Sequence, residues 1–349
     1  MDWDSLRTNH DPADYHSALI NFPAHVEQAL ELMKGFEFSF KPESIIVCGM
    51  GGSAIPGFLL KDYCRHKLDL FVEVANTYSV PEWVGKKTLA FVISYSGNTE
   101  EALSCLKELM NRDSRIVLIS SGGLLEKAAR KYGFPFIKAP AEFQPRAATP
   151  YLFTFLLEVL RKIGLLFPNY EEAVRELRKT DLKKLRKTAE RLLGKYLYIF
   201  TPSYLESVGR RYQSQAFNEN AKTLSKYSVL PEANHNELTA WGESQELPLA
   251  AIFLWDDDMS DVMKERFKFT MNVCKAKGEV FNFKSRGKTL LSKMLTLIYQ
   301  GDMLSYYLSL LRGKNPLPVP VVESLKKRLA KKTGFKKKLV KSLGLDGVV

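Results

Sequence analysis

The sequence predicts an α/β protein made of two tandem, doubly wound parallel sheets. Three observations carry this. Short apolar runs that read as strands recur, at Ser44–Cys48, Ala90–Ile93, Ile116–Ser120 and Leu249–Trp255, and the run Ala90–Ile93, without alternation, reads as a strand buried on both faces. Stretches at helical spacing separate these runs, giving βαβ units. The whole pattern then begins again at Tyr196, after a polar interval.

Taken in order, the first 35 residues read as helical, with Pro23 near the start of an amphipathic stretch from Asn21 to Lys34. Ser44–Cys48 is the first strand and runs into Gly49-Met-Gly-Gly-Ser53, followed by a helix through Tyr63. Further strands are predicted at Leu70–Ala75, Leu89–Ile93, Ile116–Ser120 and Phe136–Lys138. A long apolar helix, Tyr151–Leu166, is broken by Phe167-Pro-Asn169, and a polar helix from Tyr170 to Lys195 is expected to bridge two domains. The second round reads as strand Tyr196–Phe200, a helix from Tyr204 to about Thr223 and a loop to Asn236. It continues with strand Leu249–Trp255, a helix from Ser260 to Lys277, strand Glu279–Phe283 and a helix from Lys288 to Leu311. The extended connector Asn315–Pro320 and a helix from Val321 to Ala330 close it. The expected division is 1–152, linking helices 153–195, a second domain 196–330 and a basic, solvated or weakly helical tail 331–349.

Composition narrows the function classes. With 349 residues, 45% of them hydrophobic and 26% charged, the chain can bury two cores. The net charge of +12 is unevenly spread: from Val322 onward there are nine Lys/Arg against two acids. A second basic run, Arg175–Lys195, suits a solvated helix face. No basic stripe interleaved with aromatics occurs elsewhere, so nucleic acid is not expected as a partner. The acidic start, Met-Asp-Trp-Asp-Ser, is unlike a signal peptide, and no apolar run reaches membrane-spanning length. Cys48, Cys64, Cys105 and Cys274 lack paired spacing, which fits reduced core cysteines in a cytoplasmic protein. The five histidines form no metal-ligand spacing with them, so no metal is expected.

The chemistry concentrates at residues 90–104. A buried strand ends at Ile93, Ser94, Ser96 and Thr99 crowd hydroxyls around Gly97, and a helix starts at Glu100. Unpaired N–H groups at a helix start favour an anion, and three hydroxyls suit the phosphate of a small molecule. Helix capping alone needs one Ser or Thr. The glycine turn Gly49-x-Gly51-x-x-Ala54, with Glu73 downstream, resembles a variant dinucleotide fingerprint and keeps an NAD-dependent oxidoreductase open as an alternative. Against it, Ser53 puts a hydroxyl where a pyrophosphate needs bare backbone, and a sugar phosphate lying between both turns explains both.

Gly49-Met-Gly51-Gly52-Ser53, Ser94-Tyr-Ser96-Gly97-Asn98-Thr99-Glu100, Pro145-Arg146-Ala-Ala, Asn218-Glu219-Asn220-Ala-Lys222 and Asn234-His235-Asn236-Glu237 occur in order. Together they resemble the bifunctional phosphoglucose/phosphomannose isomerases, a branch of the SIS (sugar isomerase) superfamily, over about residues 20–330. The tail beyond Ala330 is a departure from the family pattern. The resemblance implies two SIS-type, flavodoxin-like domains and a metal-independent aldose–ketose isomerase that needs no cofactor. By similarity, Ser53, Ser94, Ser96 and Thr99, with the backbone of Gly51 and Gly52, hold the phosphate and nearby hydroxyls. Glu219 would be the base moving a proton between C2 and C1. His235 would assist ring opening from the other subunit of a homodimer, and Arg146 would stabilise the enediolate. A lysine of the last family-matched helix, Lys326 rather than Lys327, joins the site. Removing the C2 proton erases the stereocentre that separates glucose 6-phosphate from mannose 6-phosphate, so one base would serve both. Two further alternatives stay open: a sugar-phosphate-sensing regulator that keeps the 94–99 turn but does not need Glu219 or His235, and an isomerase for an amino sugar or pentose phosphate.

Overall fold

The computed structural model describes residues 2–243 and 247–346. The chain divides into two units, each built on one parallel sheet. One, here the N-sheet unit, comprises His25–Pro168 and Val319–Val349; the other, the C-sheet unit, comprises Met1–Ala24 and Asn169–Pro318.

The N-sheet unit contains β1 (Ser44–Cys48), β2 (Phe71–Ala75), β3 (Thr88–Ile93), β4 (Arg115–Ser120) and β5 (Phe136–Lys138), all parallel, in the order β2-β1-β3-β4-β5. That is the flavodoxin-like order, in which the chain leaves β1 toward β2 and returns to the far side for β3. The central strands are apolar throughout because both faces are covered: all six residues of β3 are buried, as are Ile45, Ile46, Val47 and Cys48. The two strands on either side of the reversal are therefore the most deeply buried, and their C-terminal ends open onto the crevice where such folds bind ligands.

The C-sheet unit repeats the plan with β6 (Tyr196–Pro202), β7 (Ser225–Leu230), β8 (Leu249–Trp255) and β9 (Glu279–Lys284), again all parallel, in the order β7-β6-β8-β9. The helix Leu290–Leu311 is apolar nearly all round, with 19 of its residues buried, because other helices enclose it. Tyr170–Leu177 and Leu182–Leu192 pack on it, so residues 170–195 are not one bridging helix but two helices of this unit.

Three further departures from the expected organisation have physical causes. The loop expected between Thr223 and Asn236 contains β7. Its sequence Ser-Lys-Tyr-Ser-Val-Leu is polar because β7 is an edge strand, with only Ser228 and Leu230 buried. The first 24 residues join the C-sheet unit through Asp11, which accepts the Tyr306 hydroxyl at 2.8 Å, and through Tyr15, whose hydroxyl donates to Asn220 at 3.2 Å. The basic tail is not solvated throughout. A helix, Phe335–Ser342, follows the left-handed Gly334, and Leu339, Leu343 and Leu345 enter the apolar core of the N-sheet unit with Leu103, Leu106 and Leu125. The Lys runs hid that apolar spacing.

Candidate functional site

In the N-sheet unit, the reversal between β1 and β3 brings the two sequence-predicted turns side by side. The Ser53 hydroxyl accepts the Tyr95 N–H at 3.0 Å, so the turn after β1 is tied directly to the turn after β3. The hydroxyls of the second turn are not equivalent. Ser94 is wholly buried; its Oγ accepts the Thr99 N–H at 3.2 Å and donates to Thr99 Oγ1 at 2.8 Å. Its hydrogen is thus spent inside the turn, and Thr99, at the start of the helix Glu100–Asn111, keeps its own hydrogen to donate elsewhere. Ser96 is exposed and faces outward.

Gly97 lets the turn close. It has φ +68°, and a Cβ there would lie 1.8 Å from Gly122 O in the loop after β4. Asn98 crosses to the same loop, its Oδ1 accepting the Leu124 N–H at 3.3 Å. Gly52 is needed for a different reason: a Cβ there would sit 2.8 Å from Arg146 N and 2.9 Å from Pro145 C. The loop carrying Arg146 therefore lies directly on the glycine turn, and Arg146 itself is only 3% exposed. Tyr95 pins that loop further, donating to Pro140 O at 2.5 Å and accepting the Phe143 N–H at 2.8 Å. Burial pushes its phenol up to about 12, so it remains a donor at neutral pH. Tyr95 was missed as a site residue; only its place between Ser94 and Ser96 signalled it.

Six predicted residues, Gly51, Gly52, Ser53, Ser94, Ser96 and Thr99, thus share one sheet edge with Arg146. Lys326 lies in the same unit on the exposed helix Pro320–Thr333. It is close enough to Lys336 for the two charges to interact, and Glu100, next to Thr99, acts on Lys336 too. Glu73, the residue a dinucleotide would need, is paired instead with Lys61 at 2.8 Å.

Glu219 and His235 belong to the C-sheet unit. Glu219 is half-buried in a π-helical segment, Tyr212–Asn220, closed by a bond from Ala221 N to Ala216 O at 3.1 Å. Such wide turns are frequent at functional sites. Its neighbours are tethered: Asn220 donates to Ser305 Oγ at 3.1 Å, and Asn218 Oδ1 accepts the Ser225 hydroxyl at 2.9 Å. Lys222, in the left-handed region at φ +53°, reaches back to Glu219 O at 2.6 Å and to Pro318 O at 2.8 Å. It too was missed, although it closes the Asn218–Lys222 segment.

His235 is exposed at the end of a short 3-10 turn beyond β7. Again the flanking side chains are held. Asn234 Nδ2 donates to Thr270 Oγ1 at 2.8 Å, and Asn236 Nδ2 donates to Glu232 Oε1 at 2.9 Å. Glu237 accepts Tyr198 Oη and Ser228 Oγ and pairs with Lys226 at 3.1 Å. Burial opposes the Glu237 charge, but these partners outweigh it and hold the carboxyl below its ordinary range.

The equivalent sheet edge of the C-sheet unit carries no hydroxyl turn. After β8 comes Asp256, which accepts Tyr204 Oη at 2.6 Å and Lys293 Nζ at 3.0 Å. Burial opposes its charge, yet those hydrogen bonds keep the carboxyl below its usual value. A buried carboxylate there repels an anion, so only one of the two reversals suits phosphate. Among the described residues, no group of three or more His, Cys, Asp or Glu side chains is arranged to hold a metal. The four cysteines are free and buried. No helix among the described residues is long and apolar enough to cross a membrane.

Residues 183–329 match the family described as the bacterial phospho-glucose isomerase C-terminal SIS domain. The chain is 32% identical over 333 residues to a bifunctional phosphoglucose/phosphomannose isomerase of Caldicellulosiruptor bescii, covering 90% of this chain and 98% of that one. It is 33% identical over 312 residues to one of Thermoplasma volcanium, covering 84% and 95%. A D-glucosamine-6-phosphate 4-epimerase of Sulfolobus acidocaldarius is 34% identical over 223 residues, covering 63% and 71%. Among solved structures, a hypothetical protein of Thermus thermophilus superposes with TM-score 0.74 at 16% identity, covering 94% of this chain and 92% of that one. The C-terminal domain of glucosamine-fructose-6-phosphate aminotransferase of Francisella tularensis gives 0.68 at 13%, covering 85% and 95%.

Proposed function

We infer that this chain, which belongs to the bifunctional phosphoglucose/phosphomannose isomerase family, interconverts glucose 6-phosphate and mannose 6-phosphate with fructose 6-phosphate. The observation that carries the reading is the pair of turns tied by Ser53 and Tyr95 at the β1/β3 reversal, with Arg146 seated on Gly52. The phosphate is held by the hydroxyls of Ser53, Ser96 and Thr99 and by the N–H groups of Gly51 and Gly52. Ser94 shapes the turn from inside.

His235 assists ring opening. Glu219 then removes the C2 proton of the open aldose, the electrons move into a C1–C2 double bond, and O1 gains negative charge as a cis-enediolate. Arg146 stabilises that charge, a proton passes from O2 to O1, and returning the C2-derived proton to C1 as the C2–O2 bond becomes a carbonyl yields the ketose. Lys326 adds positive charge beside the phosphate. Both aldoses lose the same stereocentre, so Glu219 serves both.

The assembly proposed is a homodimer in which His235 serves the partner's site. Asn218, next to Glu219, is bonded to Ser225 at the start of β7, whereas His235 follows its end. A six-residue strand spans about 17 Å, which is longer than one hexose. The free, buried cysteines suit a reducing cytoplasm.

The test is a coupled assay of fructose 6-phosphate formation from each aldose phosphate, with and without a chelator. Turnover of both, unaffected by chelation, is the expected result. Binding of sugar phosphates without turnover would favour a regulator. The Sulfolobus relative makes glucosamine 6-phosphate the next substrate to test.

A further inference from the structure

Lys222 holds a backbone conformation that a lysine rarely takes. It lies just beyond the π-helical segment Tyr212–Asn220 with φ +53°, the left-handed region where helix ends usually place Gly or Asn. A glycine would meet that geometry without strain, so the local fold alone does not call for a lysine. The side chain supplies what a glycine lacks. An ammonium has three N–H groups, and this one donates to three carbonyls: Glu219 O at 2.6 Å, Pro318 O at 2.8 Å and Pro316 O at 3.1 Å. The Lys222 carbonyl in turn accepts Arg312 Nη2 at 3.2 Å. Arg312 caps the C-terminus of the helix Leu290–Leu311, and Pro316 and Pro318 follow in the connector, all within the C-sheet unit.

These bonds meet at the residue read as the base. The last carbonyls of a helix find no N–H within it, and Glu219 is the penultimate residue of this one. Holding its oxygen fixes the peptide plane that follows Glu219, and so the direction in which its side chain leaves the backbone. Asn220, bonded to Ser305 of the same long helix, secures the segment from within. We propose that Lys222 is a positioning residue for the isomerisation: its ammonium ties the Glu219 carbonyl to the connector 316–318 and so aims the base at the sugar carbons. The inference rests on Glu219 acting as that base. Proton transfer between adjacent carbons needs such aim, because a misplacement of about 1 Å can cost on the order of 10²-fold in rate.

The experiment measures kcat, KM and thermal melting of the full chain with glucose 6-phosphate. Lys222→Gly relieves the left-handed strain, which is expected to hold its melting temperature within about 3 °C of wild type. Its kcat should fall about ten- to hundredfold with KM nearly unchanged. Lys222→Cys should lose as much. Aminoethylation of that thiol rebuilds an ammonium of the same reach and should restore most of the turnover; the four native cysteines are buried. Wild-type kcat in Lys222→Gly, a loss confined to KM, or no recovery on aminoethylation overturns the inference while the sugar-phosphate reading survives. A melting temperature that falls and recovers in step with turnover would assign a merely structural role and overturn it too. A wild-type chain that neither binds nor isomerises sugar phosphates removes the underlying reading, and this inference with it.

Discussion

Gly52 and Arg146 are in backbone contact across the site, so close that a single methyl on Gly52 would lie 2.8 Å from Arg146 N. The contact couples the glycine turn after β1 to the loop bearing the cation, although 93 residues separate their positions in the chain. Gly52→Ala is expected to push that loop outward at a cost of about 1–3 kcal/mol. Stability by denaturant titration and turnover should both fall; a variant with wild-type values of both would dissolve the coupling.

A second prediction concerns the two groups at opposite ends of β7. Glu219→Gln should reduce turnover by about 10²–10⁴-fold while sugar-phosphate binding persists. His235→Ala should also be impaired. If His235 acts on the partner's site, mixing and re-equilibrating the two inactive variants restores activity, to about a quarter of the wild-type value for random C₂ pairing. Mixtures as inactive as their components would assign both groups to one chain or remove one from the mechanism.

The serines should separate by burial. Ser94 is fully enclosed and bonded at both its hydrogen and its lone pair, so Ser94→Ala leaves the Thr99 N–H without its partner and costs about 1–3 kcal/mol of stability. Ser96→Ala removes an exposed hydroxyl and should weaken phosphate binding with no change in melting temperature. The opposite pattern would reverse their roles.

A pH effect follows from His25, buried against the Tyr151 and Phe143 rings. Burial lowers its pKa to about 4, whereas the unfolded chain takes up the proton near the ordinary value of about 6.5. Between those values the unfolded state binds more protons. Stability conferred by the neutral ring is complete above about 6.5 and is lost as pH falls to about 4, by roughly 2–3 kcal/mol. Denaturant titrations of wild type and His25→Phe across that window should diverge; parallel curves would show that His25 does not drive the loss.

Leu339→Ala tests the tail. Leu339 is 6% exposed among Leu103 and Leu106, so truncating it should cost about 2–5 kcal/mol. A solvated tail would show no change.

The elements legible in the sequence were those with strong local signatures. Strands buried on both faces, such as Thr88–Ile93, are continuous apolar runs, and the Ser94–Thr99 turn announces itself because hydroxyls cluster where a strand meets a helix. Elements stabilised by distant partners were not legible. β7 is an edge strand whose polar residues satisfy only one neighbour, and the lysines of Phe335–Ser342 mask three leucines whose partners lie more than 200 residues earlier. The different burial and hydrogen bonding of Ser94, Ser96 and Thr99 were equally hidden, since composition counts hydroxyls and only coordinates show what each one meets.

By itself, the sequence determined the fold class, the position of the hydroxyl-lined turn and the family, because period, turn chemistry and motif order are local properties of the chain. Tertiary structure alone decided which reversal carries a buried carboxylate, what lies against Gly52, and where the last helix docks. Those depend on through-space approach and on charge, which residues far apart in sequence supply to one another only after the chain has folded.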